Sequence, residues 1–125
     1  MIQSRIVTDI LELALDGDEA DRLLYAQLPF LQEDDYEYTG YGLFISFTHT
    51  AGIMQHKYVK SQARLNGVEL VSKKVEGVAQ VDVVIADYLI KYIEISMVEH
   101  YPNHELQEYT LTQTWIGSPG RQITR

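Results

Sequence analysis

The chain has 125 residues, of which 46% are hydrophobic, and its net charge is −8. These values favour a single folded domain over residues 1–125 and exclude global disorder. The absence of cysteine excludes disulfides, thiolate zinc sites and thiol catalysis.

The N-terminal segment predicts neither a membrane span nor an export signal. Its apolar positions are interrupted by Asp9, Glu12 and Asp16, and no small-residue cleavage site follows. Elsewhere, no apolar run reaches the roughly 18 residues that a membrane span needs. We therefore expect a cytoplasmic protein with no membrane partner.

The negative charge is concentrated in the first third of the chain. Residues 1–40 hold ten carboxylates and two arginines, whereas residues 41–76 carry +3 and residues 77–125 carry −3. We do not expect nucleic-acid binding, because it depends on neutralising phosphates with basic side chains. A basic protein is the partner that this charge favours, since complementary fields steer association. Solubility alone is the other explanation of the acidity.

The N-terminal 31 residues predict a pair of helices. Ile6, Ile10 and Leu13 recur at helical spacing after Ser4, a residue type that favours the N-cap. Gly17 suits the end of this helix, and a second helix is predicted over residues 18–27. Helices this short depend on packing, so we expect the pair to lie on another element.

The segment LQEDDYEYTGYG predicts an acidic loop that carries tyrosines. Its carboxylates repel one another in a compact form, and its two glycines loosen the backbone. Tyrosine is enriched at protein interfaces, although half-exposed strand positions also favour it. The segment is the best candidate interaction surface, with the binding residues Glu33, Asp34, Asp35, Tyr36, Glu37, Tyr38 and Tyr41.

From residue 43 onward, the apolar period changes from 3.6 to 2, which is typical of strands. Leu43, Ile45 and Phe47 share one face of the first predicted strand. The segment IMQHKYV is a further candidate strand. Asn66-Gly67 and Glu76-Gly77 predict turns, with a half-polar strand between them.

A long hairpin and a last strand complete the predicted sheet. The hairpin has its tip at Asp87-Tyr88, and its second strand extends to Met97. The last strand covers residues 106–115, and an irregular tail follows over residues 116–125. The predicted fold is α+β: an N-terminal helical pair packed on a mainly antiparallel sheet of four to six strands, within residues 39–115.

Glu94 interrupts the apolar second strand of this hairpin and has two interpretations. If Ile93 and Ile95 face the core, Glu94 lies on the opposite face, solvated or paired with a lysine such as Lys73. Alternatively, Glu94 is a pocket carboxylate that acts as a general base, with Asp82 across the hairpin as its partner. Glu94 and Asp82 are thus the catalytic candidates, with a histidine as a further possible participant, but the sequence favours a protein that is not an enzyme.

The sequence predicts no metal site and no cofactor. His100 and His104 have the spacing of a helical metal pair, but Pro102 and Asn103 between them disfavour a helix. We therefore expect exposed loop histidines. No phosphate-binding glycine loop, dinucleotide fingerprint or nucleophile elbow is present.

Several segments together resemble a group of small, largely uncharacterised bacterial proteins. These segments are TGYGLFISF, NGVELVS, VDVVIADYLIKYIEIS and YTLTQTW, over roughly residues 39–115. The shared features are a glycine-flanked aromatic strand and a late hairpin whose turn Asp corresponds to Asp87 and whose strand carries Ile93-Glu94. Some members are suspected accessory or immunity-type proteins of toxin systems. The resemblance implies a binding role and assigns no catalytic residue.

Three functions follow as hypotheses. The first is a small interaction protein, of immunity type, that covers a basic partner with its acidic, tyrosine-bearing surface. The alternative is a small-molecule binder or hydrolase with a pocket carboxylate between the sheet and the helices. The third is self-association into a homo-oligomer through an exposed sheet edge or face.

Overall fold

The computed structural model describes residues 1–96 and 99–125. Two α-helices, α1 (Arg5–Ala14) and α2 (Glu19–Arg22), precede the sheet, and two 3₁₀ helices cover Leu23–Phe30 and Ile53–His56. None of the helices in these residues has the length and apolar character needed to cross a membrane. The strands are β1 (Leu31–Tyr38), β2 (Leu43–His49), β3 (Gln62–Ser72), β4 (Val75–Ala86), β5 (Leu89–Ser96), β6 (Thr110–Gln113) and β7 (Gln122–Thr124).

The seven strands form one antiparallel sheet in the order β1-β2-β5-β4-β3-β6-β7. The predicted α+β class, with helices at the start and an antiparallel sheet, is therefore confirmed. The sheet is larger than the predicted four to six strands. Strands β1 and β7 account for the difference, because they form where an acidic loop and an irregular tail were expected.

The helical pair begins as the sequence predicts. The Ser4 Oγ accepts a hydrogen bond from the Val7 backbone N–H at 3.4 Å, which caps α1. The Asp18 carboxylate accepts the Asp21 N–H at 2.8 Å and caps α2. Helix α2 makes only one α-helical turn before the chain tightens into the 3₁₀ helix that contains Pro29.

The helices cover one face of the sheet only. The face that packs against α1 carries the alternating apolar residues of the strands, including the predicted set Leu43, Ile45 and Phe47. Ile93 and Ile95 are also fully buried on this face, as their alternation predicts. The other face of the sheet carries the intervening polar and aromatic side chains, which are half-buried or exposed.

Two of the predicted turns are wrong, because contacts between distant parts of the chain decide the local structure. Asn66-Gly67 is not a turn but a bulge inside β3, where the register with β4 shifts. Gly67 has φ 101° and accepts the Thr114 N–H at 2.6 Å, and a Cβ there would lie 2.8 Å from the Trp115 Cβ. The next hairpin turn falls at Lys73-Lys74, and not at Glu76-Gly77.

The predicted hairpin tip at Asp87-Tyr88 is confirmed. Both residues have positive φ, 53° and 67°, as a two-residue type I′ turn requires. The buried Gln27 holds the tip, because its amide donates to the Tyr88 carbonyl at 3.1 Å and accepts the Ile90 N–H at 2.9 Å. A bulge follows at Lys91. Met97, which the sequence assigns to this strand, lies outside the described residues.

The segment IMQHKYV, a candidate strand from sequence, begins instead as the second 3₁₀ helix. The Phe30 and His56 rings stack with their centroids 5.5 Å apart, which places this helix against the first 3₁₀ helix. The Gln27 amide also donates to the His56 carbonyl at 2.8 Å. Long-range contacts of this kind override the weak strand pattern.

Replacing Gly42 by alanine is expected to destabilise the fold strongly. The new Cβ would lie 1.9 Å from the Ile95 carbonyl oxygen, so β2 and β5 would have to separate. We expect a loss of more than about 2 kcal/mol in the free energy of unfolding, measured by urea denaturation. Gly40→Ala is the control, because its Cβ has open space and only the φ of 84° costs about 1 kcal/mol. Equal losses for the two variants would contradict the close approach at Gly42.

Candidate interaction surface

Strand β1 contains six of the seven candidate binding residues, and it is an edge strand of the sheet. The loop prediction is wrong here because the carboxylates of an edge strand can reach water, so that their repulsion is weakened. A bulge at Asp34 separates the pairs Glu33–Phe47 and Asp35–Ser46. The alternation along β1 and this bulge divide the candidate residues between two faces.

Glu33 points to the helix-bearing side and serves the fold. Its carboxylate accepts the backbone N–H of Gln3 at 2.9 and 3.1 Å and that of Ser4 at 3.2 Å. A negative charge at the start of a helix is favourable, since the first N–H groups of α1 lack partners. The Ser4 hydroxyl in turn donates to Glu105. Glu33 therefore joins β1 to α1 and is not free for a partner.

Tyr36 and Tyr38 lie on the same side as Glu33 and are half-buried. Their ring centroids are 6.5 Å apart, and the Tyr38 ring is 6.4 Å from that of the buried Tyr101. Burial raises the pKa of each of these three phenols above its ordinary value. This ladder of rings packs Tyr101 against β1, which is a structural role.

Asp34, Asp35 and Glu37 are exposed on β1, and Tyr41 is exposed to 71% just beyond it. Within residues 1–96 and 99–125, no lysine, arginine or histidine lies within 4.0 Å of these three carboxylates. We define these four residues as the acidic edge. The predicted seven-residue surface is thus reduced to the acidic edge, because its other three members hold the fold.

The catalytic candidates Asp82 and Glu94 face each other on β4 and β5, on the sheet face that the helices leave open. The Arg64 Nη1 of β3 donates to Asp82 Oδ2 and to Glu94 Oε1, both at 2.7 Å. These two hydrogen bonds raise the pKa of Arg64. The interpretation that Glu94 lies opposite Ile93 and Ile95 is confirmed, but its cation is Arg64 and not Lys73.

No catalytic pocket of the predicted kind surrounds these carboxylates in the described residues. The space between sheet and helices is filled by the apolar core. Asp82 instead lines a surface cavity of about 580 Å³ on the open face, with Gln80 and Trp115 among its neighbours. One oxygen of each carboxylate, Asp82 Oδ2 and Glu94 Oε1, is hydrogen-bonded to the Arg64 guanidinium.

Asp9 is a buried charged group that the sequence reasoning missed. It is 4% exposed in α1, and its carboxylate accepts from Arg125 Nε and Nη2, both at 2.9 Å. The Tyr109 hydroxyl donates to it at 2.6 Å. The Arg125 hydrogen bond lowers the pKa of Asp9, while burial raises that of Tyr109 to about 12. The sequence contains one indication that Asp9 is buried: it lies three residues after Ile6, within the apolar stripe of the predicted helix.

Of the four histidines, His49 lies in β2, His56 in the second 3₁₀ helix, and His100 and His104 after β5. His49 Nε2 lies 2.7 Å from the Ile90 carbonyl, and His104 Nδ1 lies 3.1 Å from the Glu105 carbonyl. His100 and His104 are exposed, as the sequence predicts. His100 and Glu99 meet Glu76 of β4, with one ligand atom of each residue within 4.8 Å of the others.

No protein-family model matches the chain, and searches of curated proteins and of solved structures find no match either. The resemblance to small bacterial proteins therefore stays a prediction.

Removing the Asp9 charge is expected to remove part of the acid sensitivity of the fold. Because the folded pKa of Asp9 lies below the ordinary 3.8, ionised Asp9 stabilises the protein above that pH and this stabilisation is lost as pH falls. The free energy of unfolding of wild type should exceed that of Asp9→Asn at about pH 6, and the difference should shrink below about pH 4. Urea denaturation at several pH values measures it. A difference that stays constant with pH would contradict the ion pair.

Replacing Arg64 by leucine is expected to destabilise the sheet by about 1 kcal/mol, since this half-exposed cation neutralises two facing carboxylates. The double variant Arg64→Leu plus Asp82→Asn should recover part of the loss, because one of the two like charges is gone. Urea denaturation of the two variants tests the coupling. No recovery in the double variant would show that the carboxylates do not repel.

Proposed function

We propose that the protein is a small cytoplasmic interaction protein that binds a basic protein partner through the acidic edge. The observation that carries this proposal is the contrast among its carboxylates. Asp9, Asp82 and Glu94 have arginine partners, whereas no basic nitrogen in the described part of the chain lies within 4.0 Å of Asp34, Asp35 or Glu37 on the edge strand. Three uncompensated charges on one strand attract a cationic surface.

The position of the acidic edge also supports binding by a folded partner. Strand β1 is held by β2 along its length and by Glu33 at α1, so its exposed side chains are fixed in place before any partner arrives. A fixed surface loses less conformational freedom on binding. The exposed Tyr41 ring adds an apolar contact beside the charges.

A basic toxin domain is one class of partner with this chemistry, and this protein would then cover it as an immunity-type protein. The likeness to suspected immunity-type proteins favours it. The alternative, a small-molecule binder or hydrolase, depends on Glu94 or Asp82. Both are hydrogen-bonded to Arg64, so we place the interaction function first.

The double variant Asp34→Lys plus Asp35→Lys tests the proposal. It changes the net charge from −8 to −4 and reverses the sign of the acidic edge. The control is Glu19→Lys plus Glu108→Lys, which makes the same change at exposed carboxylates outside β1. Each tagged protein is incubated with native lysate at low salt, and bound proteins are identified by mass spectrometry and titrated with salt.

We expect wild type and control to capture the same basic protein, and the β1 variant to lose it. The captured protein should associate more slowly as salt rises, since the encounter is electrostatic. Equal loss in the control would mean that only net charge matters. Equal capture by the β1 variant would place the binding surface elsewhere. Either result would contradict the proposed function.

A further inference from the structure

A cluster of three ligand-bearing side chains lies outside strand β1, beside Tyr41. Glu76 comes from the start of β4, and Glu99 and His100 come from the segment that follows β5. One ligand atom from each residue lies within 4.8 Å of the other two, and all three side chains are exposed. The sequence separates Glu76 from His100 by more than twenty residues, so only the fold brings them together.

The charges of this cluster are not balanced by the chain. Two other carboxylate pairs, Asp82 with Glu94 and Glu12 with Asp16, each share an arginine. Within the described part of the chain, no lysine or arginine nitrogen lies within 4.0 Å of the Glu76 or Glu99 carboxylate. Two neighbouring carboxylates without a cation repel each other, and a bound cation removes this repulsion.

We propose that Glu76, Glu99 and His100 bind a divalent transition-metal ion, with Zn²⁺ as the preferred ion. An imidazole nitrogen and two carboxylate oxygens are ligand types that Zn²⁺ accepts, whereas Mg²⁺ prefers oxygen alone. Metal–ligand distances of about 2 Å place the ligand atoms of one ion about 3 to 4 Å apart, so these three atoms, which lie within 4.8 Å of one another, need at most to close in slightly. Exposed side chains can rotate to do so.

Three protein ligands leave a coordination position for water or another molecule. Glu99 and His100 also line a surface cavity of about 540 Å³, together with Tyr41 and the backbone around Gly40. A fourth ligand therefore has room beside the ion. Because the ligands come from β4 and from the segment after β5, the ion also joins these two parts of the chain.

Isothermal titration of the full chain with ZnCl₂, and separately with MgCl₂, tests the site. The variants are His100→Ala and Glu76→Gln, each of which removes one ligand from an exposed position. His104→Ala is the matched control, because it removes an equally exposed histidine four residues away. Thermal unfolding with and without ZnCl₂ gives a second readout, since an ion that binds only the folded state raises Tm.

We expect one Zn²⁺ per chain, with weaker binding of Mg²⁺. Each ligand variant should lose at least about tenfold in affinity and the Zn²⁺-dependent rise in Tm, while His104→Ala keeps both. Wild-type affinity in His100→Ala would overturn the proposal and indicate adventitious binding by other histidines. The absence of Zn²⁺ binding by wild type would overturn it as well. Neither result depends on the function proposed for the acidic edge.

Discussion

The fold is organised by the fact that its helices cover only one face of the sheet. The central strands therefore turn most of their apolar residues to that face, and the residues between them to the other, as Ile93 and Glu94 do. A carboxylate on the covered side has partners, such as Arg125 for Asp9 or the backbone N–H groups of Gln3 and Ser4 for Glu33. The unpartnered charges of β1 are consequently those that face away from the helices or lie at its bulge.

The same constraint separates, within the short strand β1, the side chains that hold the fold from the side chains that are free to bind a partner. Tyr36 and Tyr38 alternate with exposed acidic residues, so adjacent positions on β1 have opposite roles. On the open face of the sheet, Arg64 neutralises Asp82 and Glu94, and it reaches across β4 to contact Glu94. The acidity of the first third of the chain is thus partly structural, and three of its exposed carboxylates, Asp34, Asp35 and Glu37, lie at one sheet edge.

Local periodicity predicted much of the fold, and long-range packing explains the rest. Alternation predicted the side of Glu94 because one buried face imposes a period of two. The sequence did not predict strand β1, because the repulsion among its carboxylates is tolerated only at a sheet edge, where they reach water. Asn66-Gly67 has the chemistry of a turn, but contact with Trp115 makes it a bulge. That bulge determines which residues of β3 lie on each face of the sheet. The sequence therefore could not predict that Arg64 is the partner of Glu94.

Carbodiimide labelling of carboxylates, read by mass spectrometry, tests the central claim most directly. It compares the protein alone with the protein after incubation in native lysate at low salt. We expect Asp34, Asp35 and Glu37 to be labelled faster than Glu33 and Asp9 in the isolated protein, and to be labelled more slowly after incubation in the lysate. Equal labelling of Glu33 and Asp34 in isolation, or unchanged labelling of β1 in the lysate, would contradict a free acidic edge that binds a partner.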